Sequence, residues 1–185
     1  MDPYGYLLIL ALLAAGTILV FRRVRADYRS LGRLSRGVSI AQTGFFCVYA
    51  LCSYVFLDSR IAHIAIRGAL LVIALLLMAA GFAMVAAAMS SLGSRSTFAG
   101  DTPALRTAGL YRYSRNPQLV GGFLFIIGYA MLWPSWHGAL WALLFAFIGH
   151  VMVLGEEEHL HRLFGEPYRA YCRQTPRYLG LTLQS

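Results

Sequence analysis

Two stretches of this chain hold most of the residue types that do chemistry. Thr107–Gly122 reads TAGLYRYSRNPQLVGG and brings Tyr111, Arg112, Tyr113, Arg115, Asn116, Pro117 and Gln118 close together. Glu156–Arg177 reads EEEHLHRLFGEPYRAYCRQTPR. Arginine grips a carboxylate through a planar fork, and a glutamate accepts from an ammonium, so the pair of stretches suits an amino-acid-like ligand. Glu156, Glu157 and Glu158 fall at the end of an apolar span, where the helix dipole disfavours anions and the inner membrane surface favours cations. A bound cation or arginines from the loop offset that cost; the plainer reading is a solvated boundary where the helix leaves lipid. Arg112 and Arg115 have a plain reading too, as anchors of membrane orientation.

Arg115 abuts Asn116-Pro117, where the chain turns into a helix. The free N–H groups of a helix start suit an anionic or polar ligand group, while Asn116 equally suits an N-cap. His150 shares a helical face with Glu157 and His161 and reads either as a hydrogen-bonded core residue or as a base. His159 and His161 point to different faces, so no metal site is expected. Tyr111, Tyr113, Tyr168 and Tyr171 fit an interfacial belt or the walls of a purine and ribose pocket. No G-x-G-x-x-G follows a strand, which excludes the soluble nucleotide-binding folds.

The elements that must hold these residues are membrane helices. Of 185 residues, 58% are hydrophobic and only 13% charged, a balance that makes lipid the solvent for much of the surface. The net charge of +8 sets sixteen arginines, with no lysine, against eight acidic residues, and those arginines flank apolar spans, so nucleic acid is not the expected partner. Cys47, Cys52 and Cys172 form no C-x-x-C pair and read as small core residues or a bystander thiol. The first span has no cleavage site after it and reads as a retained helix.

A span needs about 20 apolar residues. Five segments qualify, at about 4–21, 38–57, 64–89, 119–133 and 136–154, the fourth being short. The first loop is strongly basic, and a connector carries Asp58, Arg60, His63 and Arg67. Ser90–Asn116, with Gly93, Gly100, Pro103 and Gly109, is the one long loop, and such loops are usually functional. Pro117 suits the first turn of a helix, and Trp133–Trp136 makes a tight turn between spans four and five. Five spans put the first loop, the long loop and the tail on one side with fourteen of the sixteen arginines, leaving Arg60 and Arg67 on the other. The positive-inside rule then sets the N-terminus outside and both stretches in the cytosol. The tail continues helically through Phe164; Gly165 ends that helix, and Pro167 starts another whose apolar side holds Tyr168, Tyr171 and Leu179.

The pattern G-x-Y-R-x-x-R-N-P-x-x-x-G at Gly109–Gly121, E-E-x-x-L-x-x-x-F-G-x-x-Y-x-x-Y at Glu156–Tyr171 and Pro176-Arg177 resembles the isoprenylcysteine carboxyl methyltransferase family. That family is itself similar to the phospholipid N-methyltransferases and the NnrU-like membrane proteins. The Leu92-Gly93 step fits the same pattern, and the resemblance covers roughly Ser90 to Leu179. It implies a single integral-membrane domain over 1–185, with a cofactor site built from 90–122 and 150–179. The implied cofactor is S-adenosylmethionine. Tyr111, Arg115, Asn116, Pro117, Gln118, Gly121, Glu156 and Glu157 are its implied site, closed from the tail by Tyr168, Tyr171 and Arg177. The candidate catalytic groups are Arg115, Glu157 and His150. Where the family has R-H-P-x-Y, this chain reads Arg115-Asn116-Pro117-Gln118-Leu119: Asn replaces the hydrogen bond of a neutral His without its titration, and Leu loses a hydroxyl.

Methyl transfer from a sulfonium is an in-line displacement that leaves the donor neutral. The protein must align nucleophile, methyl and sulfur, exclude water and balance the cation. A carboxylate acceptor needs only an arginine to position it; a thiol or amine must first lose a proton, to His150 or a glutamate. The expected protein is an all-α, polytopic membrane bundle of about five helices with a cytosolic helical tail. Its expected home is a bacterial inner membrane, and its activity transfer of a methyl group to a lipidic or small acceptor, a carboxylate, amine or thiol. The rivals are a nicotinamide-dependent membrane reductase of the sterol-reductase type and a non-catalytic carrier or scaffold.

Overall fold

The computed structural model describes residues 3–61, 64, 66–92 and 105–180. Among these the chain is all-helical: α1 (Pro3–Leu31), α2 (Arg36–Ile61), α3 (Ala69–Leu92), a 3-10 turn (Gly109–Arg112), α4 (Pro117–Met131), α5 (Trp136–Phe164) and α6 (Glu166–Gln174). His63, Gly93, Arg95, Gly100 and Pro103 lie outside the described residues, so only the two ends of the expected long loop are seen. The side chains of Asp58 and Arg60 lie outside them as well.

Hydropathy marks the apolar runs, and the helices extend past them. The 29 residues of α1 span roughly 44 Å at 1.5 Å per residue, against about 30 Å of hydrocarbon. Arg22–Arg29, expected in a basic loop, is therefore the last part of α1, and the loop shrinks to 32–35. Gly32, at φ 65°, turns the chain there, and the Asp27 carboxylate accepts from Ser35 N at 2.8 Å and from its hydroxyl. The third helix begins at Ala69, not near Ile64, because Gly68 at φ 62° sets its start. Tyr4–Leu31, Ala69–Ser91 and Trp136–Phe164 are long and apolar enough to cross a membrane, and Pro117–Met131 is a shorter apolar helix.

The chain divides into two compact units, Met1–Arg67 with Ala130–His159 and Gly68–Tyr129 with Leu160–Ser185. The first unit is organised on Tyr6, Leu13, Phe21, Val24, Tyr49, Trp141, Leu144 and Ile148, which form its buried core. The Tyr6 hydroxyl donates to His137 O at 2.6 Å, and the Tyr49 ring stacks on Trp141 with centroids 4.8 Å apart. Thr17, fully buried, donates back to Leu13 O at 2.8 Å, which spares an apolar core an unsatisfied hydroxyl.

In the second unit α3 and α4 meet along glycines. A Cβ on Gly121 would come within 2.8 Å of Gly81 O, and one on Gly128 within 2.5 Å of Ala74 O. Backbones this close leave room for hydrogen only, the small-residue packing expected of helices that meet in lipid.

Candidate functional site

In the second unit the first stretch and the part of the second from Leu160 onward become one folded piece. Pro117 opens α4, and both Leu119 N and Val120 N donate to Asn116 O at 3.1 Å. The Asn116 side chain does not cap this helix. Its amide donates to Arg177 O at 3.0 Å. Ser114, fully buried, accepts from Asn116 N at 3.1 Å and donates to the same Arg177 carbonyl at 3.4 Å. Arg115 N donates to Pro176 O at 3.0 Å, and the Thr175 hydroxyl to Arg112 O at 3.4 Å. A run of backbone groups that would otherwise lie unpaired is thus satisfied by residues some sixty positions away.

The tyrosines complete the join. Tyr171 donates its hydroxyl to Tyr111 O at 2.6 Å, and Tyr111 donates to Gln118 Oε1 at 3.2 Å. Burial pushes the Tyr171 phenol up to about 12, with the positive charge of Arg115 acting against that. Tyr168 is 1% exposed and meets the His161 ring edge-on at 4.7 Å. Arg115 extends a guanidinium nitrogen to Cys172 Sγ at 2.7 Å.

The tail helix begins at a glycine break and carries ion pairs along its own surface. Gly165, at φ 59°, separates α5 from α6, with Pro167 in the first turn as the Gly-x-Pro spacing predicts. Glu166 accepts from Arg173 at 2.8 Å and pairs with Arg169 at 3.6 Å; the Arg173 hydrogen bond is the main reason its carboxyl lies below the usual range. Against α6 lies a cleft of about 470 Å3, lined by Thr107, Arg112, Pro167, Ala170, Tyr171, Gln174 and Thr175.

Of the expected cofactor residues, Tyr111, Asn116, Pro117, Gly121, Tyr168 and Tyr171 are buried in this unit, and Arg115, Gln118 and Arg177 half-buried. Gly121 sits at the close approach of α3. Tyr113 and Leu179 are exposed, Leu179 beyond the end of α6 rather than on its apolar side. Ser114 and Thr175, for which the sequence raised no expectation, are part of the join, and so is Cys172, expected to be a small core residue or a bystander thiol. Ser114 had a local signal: a hydroxyl two residues before the amide it accepts from is an ST-turn.

His150, Glu156 and Glu157 belong to the first unit. Glu157 is buried, Glu156 half-buried, and His150 exposed rather than a core residue. The third glutamate, Glu158, is ion-paired. Arg29 reaches Glu158 Oε1 through Nη2 at 2.6 Å and Nε at 3.0 Å, and Arg25 Nε lies 3.9 Å from Oε2. The Tyr28 ring stacks on His159 at 4.1 Å, and Gly155 faces the Arg25 stem. Part of the carboxylate run is therefore neutralised by arginines of α1. No group of three or more His, Cys, Asp or Glu that could hold a metal ion occurs among the described residues.

Comparison with known proteins gives one finding. The sequence model of the family described as PEMT, phospholipid methyltransferase, matches residues 69–167, more than half of the chain. No curated protein and no solved structure matches it.

Proposed function

The chain belongs to the phospholipid methyltransferase family, a family of membrane methyltransferases, and on that premise we propose that it uses S-adenosylmethionine to methylate a lipidic or small membrane-partitioning acceptor. One observation carries the reading. The first motif stretch and the end of the second, distant in sequence, are joined by Asn116 to Arg177 and Arg115 to Pro176 into a single cradle beside the start of α4.

The residues there suit the donor. S-adenosylmethionine, when bound, supplies an electrophilic methyl group on a sulfonium. The chain's part is to grip the nucleoside and amino-acid ends and keep water out. Tyr111, Tyr168 and Tyr171 offer aromatic surface held by buried hydrogen bonds; Gln118 offers an amide, and the arginines positive charge for a carboxylate. Glu156 and Glu157 belong to the first unit, and the family resemblance alone assigns them to the same cofactor. Asn116 does not titrate, so a carboxylate acceptor fits the site without further help, while an amine or thiol acceptor relies on Glu157 or His150 as base.

We further propose five membrane spans in a single domain, with the N-terminus outside and the cradle in the cytosol of a bacterial cell. The arginine asymmetry supports that orientation. The test is calorimetric titration of the detergent-purified protein with S-adenosylhomocysteine, with NADPH as control. Binding of the former alone, at micromolar concentration, is the expected result. NADPH binding alone moves the protein to the reductase class, and binding of neither leaves a carrier or scaffold.

A further inference from the structure

We infer that the cleft between the 3-10 turn and α6 holds the carboxylate of the methyl donor's amino-acid end, with Arg112 as the residue that pairs with it. The inference rests on the donor reading above and moves the carboxylate grip from Arg115 to Arg112.

It begins with an inventory of positive charge. Among the described arginines of the second unit, Arg169 and Arg173 are paired with Glu166. Arg115 already donates to Cys172 Sγ at 2.7 Å. Arg106, Arg162 and Arg177 are each engaged with other groups. The Arg112 side chain has no hydrogen-bond or ionic partner among the described residues, and it is the one charged residue lining the cleft. An unpaired guanidinium beside a concave, partly apolar wall makes that wall attractive to an anion.

The backbone beneath it is fixed. Thr175 donates to Arg112 O, and Tyr171 to Tyr111 O at 2.6 Å, so the guanidinium stands on a tied turn rather than a loose loop. A preorganised cation loses less on binding than one whose stem must first be ordered.

The rest of the lining selects the ligand. Thr107, Gln174 and Thr175 bring hydroxyl and amide groups. Pro167, Ala170, Tyr171 and Gln174 recur at the three- and four-residue spacing of one face of α6, and the first three supply a short apolar wall. No Leu, Ile, Val, Met or Phe lines the cleft, which is poor company for an acyl chain and suits a compact polar molecule. Its volume of about 470 Å3 falls within the about 300–1,000 Å3 typical of small-molecule sites.

The test uses two ligands that share a thioether nucleoside and differ at the amino-acid end. Wild type, Arg112→Gln and Arg112→Lys are titrated in detergent with S-adenosylhomocysteine and with 5′-methylthioadenosine, which lacks the carboxylate, and each variant's melting temperature is recorded. The expected result is that Arg112→Gln weakens S-adenosylhomocysteine by about 10–100-fold and leaves methylthioadenosine unchanged. Arg112→Lys, which keeps the charge but not the fork, falls between. Equal weakening of both ligands, or none of either, overturns the inference while the donor reading stands on wild-type binding. A wild type that binds neither ligand overturns both.

Discussion

Asn116 donates its side-chain amide to the main-chain carbonyl of Arg177 over 3.0 Å, tying the start of α4 to the end of the tail. At this position the related family carries a histidine, and the structure shows what the asparagine does here: it holds a strap. Asn116 is buried, and so is its neighbour in the strap, Ser114. Asn116→Ala leaves the Arg177 carbonyl without its best donor and is expected to cost about 1–3 kcal/mol, read as a lower melting temperature in detergent. Asn116→Asp, which cannot donate when ionised, should fare no better at neutral pH. An unchanged melting temperature in both would mean the strap does not restrain the fold.

Tyr171 makes a pH-dependent claim. Its phenol is pushed up to about 12 by burial, from an ordinary value of 10.0. A folded value above the unfolded one means that the folded chain holds this proton more tightly. Its contribution is complete below about pH 10 and is lost as pH rises toward about 12. Thermal stability should fall across that window, and the fall should be smaller in Tyr171→Phe. The same variant removes the donor to Tyr111 O and is expected to be less stable by about 1–3 kcal/mol at neutral pH. Parallel pH curves for the two proteins would contradict the assignment.

The glycine contacts between α3 and α4 are steric and should behave so. Gly128→Ala would set a methyl 2.5 Å from Ala74 O and 3.0 Å from Met78 N, both backbone atoms that cannot step aside. A destabilisation of about 1–3 kcal/mol is expected from such overpacking. Gly138→Ala is the control, because its nearest neighbour is the Ala130 Cβ at 3.4 Å. If both alanine variants melt with the wild type, α3 and α4 do not pack as described.

Glu158 and Arg29 form an ion pair between α1 and α5 at 2.6 Å, yet their side chains are 30% and 57% exposed. Water and salt screen such a pair, so Glu158→Gln is expected to cost less than about 1 kcal/mol, and less still at high ionic strength. A loss of several kcal/mol would show the pair to be buried in a larger network.

The parts of this fold that were legible in the sequence rest on local rules. Pro117 at a helix start, Gly165 between two helices and Pro167 in the next first turn follow from fixed φ, missing N–H groups and left-handed glycine, and each is where those rules put it. Helix ends read from hydropathy were not legible. Arg22–Leu31 stays helical beyond the apolar run, because polar and charged residues can continue a helix that an apolar segment begins.

The site residues divide the same way. Tyr111, Asn116, Tyr168 and Tyr171 lie in one unit, and Asn116 and Tyr171 direct their polar groups to main-chain carbonyls, which carry no sequence signature. Arg112 and Arg115 look alike in the sequence. Only the fold shows that one is engaged by Cys172 and the other lines a cleft. Glu158 likewise resembled its two neighbours until α1 was seen to reach it.

The central claim is methyl transfer, and the most direct measurement is transfer of labelled methyl from S-adenosylmethionine by the purified protein in vesicles made from a bacterial lipid extract. The account predicts label in an extractable lipid or small molecule, time-dependent, suppressed by S-adenosylhomocysteine and absent from vesicles without protein. Label that never leaves the donor, across lipid and small-molecule acceptors bearing carboxylate, amine and thiol groups, would contradict it.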